Sequence, residues 1–469
     1  MLEQLIYLSP LLVLLVGIAV YALVNFKHDE TYKCFKFSRI LLVISLVLNI
    51  IFYNKPIMAE ITSANKLTTT FIVWLYVALL FLLFAARKWF SNMKQSGGQF
   101  CYMILLTAVI GCLLIVSKNL LLTVASMILF MFGNYELLLK IGNFKQNDIS
   151  HKVYLGSASM CSALLLMALF VVYEGGGGLD YDSVSAYLSE HIHNPLVFAA
   201  AGALVLGYMF LFAAAPLHYW LTETAGKVSL PVFTYFLTVP VGAYLVSFIR
   251  LGIKVLQPVN ERFQLFYVAV ALMSMFVGAI GACSGQNIRK ILCYTNVYCI
   301  GIIFLVLQHF TPWAAQTAII YWFVCMLSLY GICLAMFCIK VKGEYLFMLN
   351  EFSGAAYKLP FLTIMIIFFL FSLLGMPPFI GALGIFSVLS NLALQNHFYY
   401  LLYVLFTLII MAYAFLNIIR TFCFEDSRNN FDRPDSGISA LLLCLAGLMI
   451  YFVLQPQHLL AQPWLIEAL

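Results

Sequence analysis

Apolar residues run along this chain in stretches of about 20 rather than alternating with polar ones. Bounded by polar or turn-forming residues, the stretches fall at roughly 5–25, 39–53, 68–86, 100–117, 119–139, 154–173, 195–216, 230–253, 264–284, 291–308, 314–340, 359–394, 399–420 and 437–454. A helix of about 20 residues crosses the hydrocarbon of a bilayer. In that medium only helices and closed barrels satisfy every backbone donor and acceptor, and stretches this long without period-two alternation select helices. The pattern therefore predicts an all-α polytopic membrane protein, one membrane domain over 1–469, with about fourteen transmembrane helices. The second stretch is short, and the twelfth is too long for one straight crossing. The first is followed by further spans, so it reads as an anchor rather than a cleaved signal.

Composition narrows the function classes. Of 469 residues, 64% are hydrophobic and 9% charged, where a soluble domain carries about 25% charged residues. Almost nothing is left for a soluble domain, so a nucleotide-binding or nucleic-acid-binding module is excluded and the lipid bilayer is the expected surrounding. The net charge of +6 matters through its placement. Nineteen of the cations fall in odd-numbered loops: Lys27, Lys33, Lys36, Arg39, Arg87, Lys88, Lys94, Lys140, Lys145, Lys152, Lys227, Arg289, Lys290, Lys340, Lys342, Lys358, Arg420, Arg428 and Arg433. Six fall in even ones: Lys55, Lys66, Lys118, Arg250, Lys254 and Arg262. Cation-rich loops stay on the inner side, so both termini are expected on the non-cytoplasmic side. The loop 174–194, without a cation and with Asp180, Asp182 and Glu190, fits the outer side.

Twelve cysteines raise the question of metal or disulfides. Ten of them lie inside apolar runs and no CxxC occurs, so they read as small hydrophobes. His191 and His193 are half of a metal site that no other residue completes, and no metal is expected.

Two interruptions are more informative. The seventh run passes into Ala213-Ala214-Ala215-Pro216-Leu217-His218, and the twelfth into Leu374-Gly375-Met376-Pro377-Pro378. Proline removes a backbone donor and clashes with the preceding turn, and inside a membrane the freed carbonyls need protein or water. Such breaks are expected where a helix lines a cavity or packs against protein. Two of them five helices apart predict broken helices 7 and 12 in two five-helix repeats, 100–253 and 264–420. An odd-numbered unit returns inverted, as in many ion transporters. The plain alternative is two unrelated kinks.

The stretch Pro216-Leu217-His218-Tyr219-Trp220, then Glu223, then Leu230 to Pro240, resembles the broken seventh helix and the following helix entry of the antiporter-like subunits of respiratory complex I. It is most similar to the N subunit, with its pattern P-F-H-x-W-x-P-D. Gln286-Asn287-Ile288-Arg289-Lys290 with Tyr294 resembles the family's polar-basic turn, and Ser372 to Pro378 with Gly381 and Gly384 resembles its S-L-x-G-I-P-P-x-x-G-F-x-G. The resemblance covers about 100 to 420. It implies a membrane-arm subunit of NADH:quinone oxidoreductase that takes part in proton translocation coupled to quinone reduction. Other membrane-arm subunits would be its partners, in a bacterial inner membrane or, alternatively, a mitochondrial one. The chain itself would carry no flavin, iron–sulfur cluster or NADH site, and so no cofactor.

The resemblance also implies a midplane proton path with a glutamate on helix 5 and lysines on helices 7, 8 and 12. A desolvated lysine loads and releases a proton near neutrality, and a nearby carboxylate reverses that shift. Glu136, in Phe132-Gly133-Asn134-Tyr135-Glu136-Leu137-Leu138, matches the glutamate. Its structural alternative is a partner for Lys140, four residues on, near the inner surface. The lysine positions fall on Leu211, Val241 and Ile385, all aliphatic. His218 is the surviving candidate carrier or gate near the first break, or else a cap for carbonyls freed by Pro216. Tyr219, Tyr235, Tyr244, Tyr294 and Tyr298, with Thr234, Thr238 and Thr295, line a polar file or form ordinary interhelical hydrogen bonds. Two further readings stay open: a non-conducting scaffold of the same arm, which the missing lysines favour, and a cation/proton antiporter subunit of the same fold.

Overall fold

A computed structural model describes residues 9–24, 31–52, 57–58, 63–93, 95, 97–141, 149–224, 227–426 and 429–460. The expected loop cations Lys27, Lys55, Lys94, Lys145 and Arg428 lie outside the described residues. Nearly everything described is helical. Among the described residues, twelve helices are long and apolar enough to cross a membrane, beginning with Tyr32–Ile51 and ending with Ser436–Leu454. The other two expected crossings fall on shorter helices. Ser9–Val24 has 16 residues, and the long twelfth run is divided into Pro360–Leu373 and Gly381–Leu394, of 14 residues each. Beside the helices, the described residues hold two two-residue hairpins, Ile57–Met58 with Ser63–Ala64 and Lys340–Val341 with Glu344–Tyr345.

Helices overrun the apolar runs at their ends. Lys33, Lys36 and Arg39, expected in a loop, lie within Thr31–Ile51, and Arg87 and Lys88 lie within Lys66–Asn92. Long cationic side chains allow this, because the stem lies along apolar surface while the head reaches out. Arg39 and Arg87 also rest over the rings of Phe84 and Tyr32, each 4.5 Å from the centroid. The loop 174–194 holds the helix Tyr181–Glu190, which buries Tyr181, Val184 and Leu188 along one face. Asp180 caps it, its carboxylate accepting from the Ser183 amide at 3.2 Å and hydroxyl at 2.6 Å.

The described residues form two compact units: those within 9–212 and 227–263, and those within 213–224 and 264–460. In the first, the segment Leu230–Lys254 is the central element, buried on all sides. It kinks at Pro240, between the helices Leu230–Thr238 and Val241–Lys254, because proline offers no hydrogen to the carbonyl one turn back. In the second, Ile288–His309 and Pro312–Met336 are central and almost wholly buried, while Phe398–Phe424 and Ser436–Leu454 are peripheral.

Membrane helices gain little from expelling water and associate by close packing. The second unit shows this where Asn260–Ser284 meets Ile288–Val306. A Cβ at Gly278 would lie 2.6 Å from the Tyr298 nitrogen, and one at Gly301 would lie 2.8 Å from the Met275 nitrogen. Each helix thus presses its backbone onto a glycine of the other.

Candidate functional site at the two helix breaks

The first break lies where the chain leaves the first unit. Helix Pro195–Phe212 ends, and Ala213 turns into the left-handed region at φ 55. Within the second unit, the Ala215 amide donates to the Ser274 hydroxyl at 2.9 Å, so a neighbouring helix supplies a partner that the broken one lacks. The Ala215–Pro216 peptide is cis. The His218 carbonyl then accepts from the Leu221 and Thr222 amides at 3.1 and 3.3 Å, opening the short helix Tyr219–Thr224. An alanine in the left-handed region costs about 1 kcal/mol. Ala213→Gly is therefore expected to leave the unfolding temperature of the purified chain unchanged or raise it slightly, whereas Ala213→Val lowers it.

His218 is half-buried, its ring centroid 6.1 Å from that of Tyr294, and its Nδ1 is buried without a hydrogen-bond partner among the described residues. Five residues on, the Glu223 carboxylate stands 3.9 Å from the Lys290 ammonium. The break therefore places an imidazole, a phenol and an ion pair along the contact of Tyr219–Thr224 with the first turns of Ile288–Val306.

The second break is built differently. The Gly375 amide donates to the Ser372 carbonyl at 3.0 Å and the Met376 amide to the Phe371 carbonyl at 3.2 Å. With Gly375 at φ 71, this pair of bonds is the Schellman ending, which needs a left-handed residue after the helix. Ser372 and Ser328 hold their hydroxyls 2.9 Å apart, both buried. After the cis Pro377–Pro378 bond, Gly381 begins the second half-helix directly against the Ser372 carbonyl. At both breaks the flanks, Ala213 to Ala215 and Ser372 to Leu374, are buried, but Pro216, Met376, Pro377 and Pro378 are exposed on this chain. The expectation that the breaks face inward thus holds for their flanks and not for the prolines.

Glu136 and Lys140 form an ion pair of 3.1 Å, four residues apart, both half-exposed. They lie near the end of helix Leu120–Ile141, on the side where Leu121, Leu129, Phe132 and Leu139 are also uncovered. Leu211, Val241 and Ile385 are buried, at 4%, 2% and 7% exposure, and Ile385 packs against Gly375. Arg250, expected near a surface, is instead buried, its Nη1 donating to the Ile115 carbonyl at the end of Gly98–Val116. That position favours a cation, because unpaired carbonyls there carry partial negative charge.

The expected polar file is only partly assembled. Thr234, Thr238 and Thr295 bond their own helix one turn back, at 2.9, 2.7 and 2.9 Å, and Tyr219 is exposed. In the first unit, however, buried Asn134 donates to the Tyr244 hydroxyl at 3.3 Å, while its own carbonyl oxygen and the Tyr235 hydroxyl are buried without a hydrogen-bond partner among the described residues. Sequence reasoning missed Asn134, although it stands two residues before Glu136. His191 and His193 bond elsewhere, to the Tyr187 carbonyl at 3.2 Å and to Arg262 at 2.9 Å.

The sequence profile of the family described as NADH:quinone oxidoreductase/Mrp antiporter, TM, matches residues 117–411. A relative named NADH-quinone oxidoreductase subunit N, from Francisella tularensis subsp. holarctica, is 23% identical over 80% of this chain and 79% of its own length. Among solved structures, a chain of respiratory complex I from Thermus thermophilus is similar at a TM-score of 0.81 and 18% identity, covering 96% of this chain and 98% of that one. A chain of the Mrp complex from Dietzia sp. is similar at 0.85 and 17% identity, covering 100% and 97%.

Proposed function

Because the chain belongs to the NADH:quinone oxidoreductase/Mrp antiporter family, we propose that it is a membrane-arm subunit of NADH:quinone oxidoreductase that takes part in proton translocation coupled to quinone reduction. The observation that carries this reading is a family match that runs through both broken helices. Relatives named as subunit N of that enzyme support it, aligned over most of their length. In this reading the neighbours are other membrane-arm subunits, the membrane is the bacterial inner membrane, both termini face its non-cytoplasmic side, and 100–253 and 264–420 are inverted repeats. Glu136, Lys140 and His218 are the proton-handling candidates. Glu136 would act through its charge, which the Lys140 ammonium pairs at 3.1 Å.

The test is proton pumping by the assembled enzyme in membrane vesicles. Glu136→Gln keeps shape and hydrogen bonding but cannot ionise. It is expected to lower the protons moved per electron while the enzyme still assembles. Unchanged pumping in both Glu136→Gln and His218→Ala enzymes would favour the second reading, a non-conducting scaffold. The buried aliphatic residues at Leu211, Val241 and Ile385 support that second reading.

A further inference from the structure

We propose that His309 and His397 form one proton-binding unit that holds a single excess proton between their Nε2 atoms. His309 closes the turn Leu307–His309 that follows helix Ile288–Val306, and His397 immediately precedes helix Phe398–Phe424. Both belong to the second unit and both are half-buried. The Nε2 atoms are 3.4 Å apart. The ring centroids are 5.7 Å apart and the ring planes differ by 11°. The centroid separation exceeds the nitrogen separation by about the two ring radii. The rings therefore meet end to end, each Nε2 aimed at the other, rather than face to face.

That geometry suits a proton and not a metal ion. A zinc ion on the line between the nitrogens needs about 2.0 Å on each side, more than the gap offers. With both rings neutral, one Nε2–H donates to the other's lone pair. One added proton converts this to an imidazolium–imidazole bond, which is charge-assisted and stronger. A second added proton leaves two donors and two positive charges in contact. The pair thus titrates in two separated steps that belong to neither ring alone.

Among the described residues no carboxylate forms an ion pair with either ring. Gln264, on helix Asn260–Ser284, brings its side-chain amide within 3.4 Å of the His309 Nε2, and its carbonyl oxygen takes that place after an amide flip. The Tyr400 ring is 5.3 Å from His397, and Tyr267 meets Phe310, next to His309, at 5.5 Å. With no carboxylate to fix it, the proton stays free to leave. Its onward release during translocation rests on the proposed function; the shared proton itself does not.

The test is a double-mutant cycle on the full-length chain in detergent, with His309→Gln, His397→Gln and the double variant, followed by thermal unfolding between pH 8 and pH 5. In acid the unfolded chain binds two protons at these residues and the folded pair one, so folding loses stability as pH falls through the ordinary histidine range. The coupling between the two histidines is expected to be favourable near neutrality and to weaken by roughly tenfold or more in acid, the size set by an interaction of more than one pK unit. A coupling that is absent, or that does not change with pH, overturns the proposal. In the assembled enzyme, His397→Gln is expected to shift the pH profile of pumping. A pH-dependent cycle with an unshifted profile upholds the shared proton and overturns its part in translocation.

Discussion

Gly381→Ala is expected to abolish the second break as built. An alanine Cβ there would lie 1.6 Å from the Ser372 carbonyl oxygen and 2.5 Å from its carbon. Neither atom can yield. The same carbonyl accepts the Gly375 amide, and the Ser372 hydroxyl is held by Ser328. Overpacking a tight site typically costs about 1–3 kcal/mol, and a clash with backbone rather than a flexible side chain belongs at or beyond the upper end. The expected result is a large drop in the unfolding temperature of the purified chain, or loss of folded chain altogether. Gly447→Ala is the control, because a Cβ there meets nothing within 4 Å in the middle of helix Ser436–Leu454. It should be neutral or stabilising by about 1 kcal/mol. Equal behaviour of the two variants would show that the half-helices do not abut in this way.

Val241→Lys separates a conducting first unit from a dry one. Val241 is buried and opens the helix that carries Tyr244. In a dry apolar seam the introduced lysine must be neutral when folded, while in the unfolded chain it keeps its usual pKa of about 10.4. The folded pKa is then depressed, so the unfolded state binds the extra proton and stability falls as pH drops below about 10. At pH 7 the penalty reaches about 5 kcal/mol, at 1.36 kcal/mol per pK unit, and it disappears toward pH 10. Val241→Met, of similar length but uncharged, removes the steric part from the comparison. A hydrated seam would keep the lysine charged and leave the variant nearly independent of pH between 7 and 10. The Asn134 oxygen and Tyr235 hydroxyl, buried with no hydrogen-bond partner among the described residues, favour local water, because a buried polar group left dry costs about 1–3 kcal/mol. The aliphatic side chains at Leu211 and Val241 favour dryness. The pH slope of the lysine variant decides between them.

Most of the helical architecture was legible because a bilayer permits few backbone solutions. The errors fall at helix ends and surfaces. Lys33, Lys36 and Arg39, expected in a loop, lie on the helix Thr31–Ile51, because a long cationic side chain stays on the helix and extends its head. The helix Tyr181–Glu190 was missed although its buried positions, Tyr181, Val184 and Leu188, follow helical spacing; ten residues among glycines and acids give a weak periodic signal. The burial of Arg250 had no local mark. It depends on the end of Gly98–Val116, 135 residues earlier in the chain, arriving with an open carbonyl.

What the sequence by itself determined is the run of apolar helices, the two proline breaks, the absence of lysine at three positions and the motifs that tie the chain to its family. These are properties of short segments, set by local sterics and by the cost of exposing backbone to hydrocarbon. Only the tertiary structure decided that Glu136 is a half-exposed partner of Lys140, that the break prolines face outward while their flanks are buried, and that His309 and His397, 88 residues apart, meet nitrogen to nitrogen. Each of these depends on where distant helices pack, and packing is settled by close contacts such as Gly278 and Gly301 on facing backbones, which no segment specifies alone.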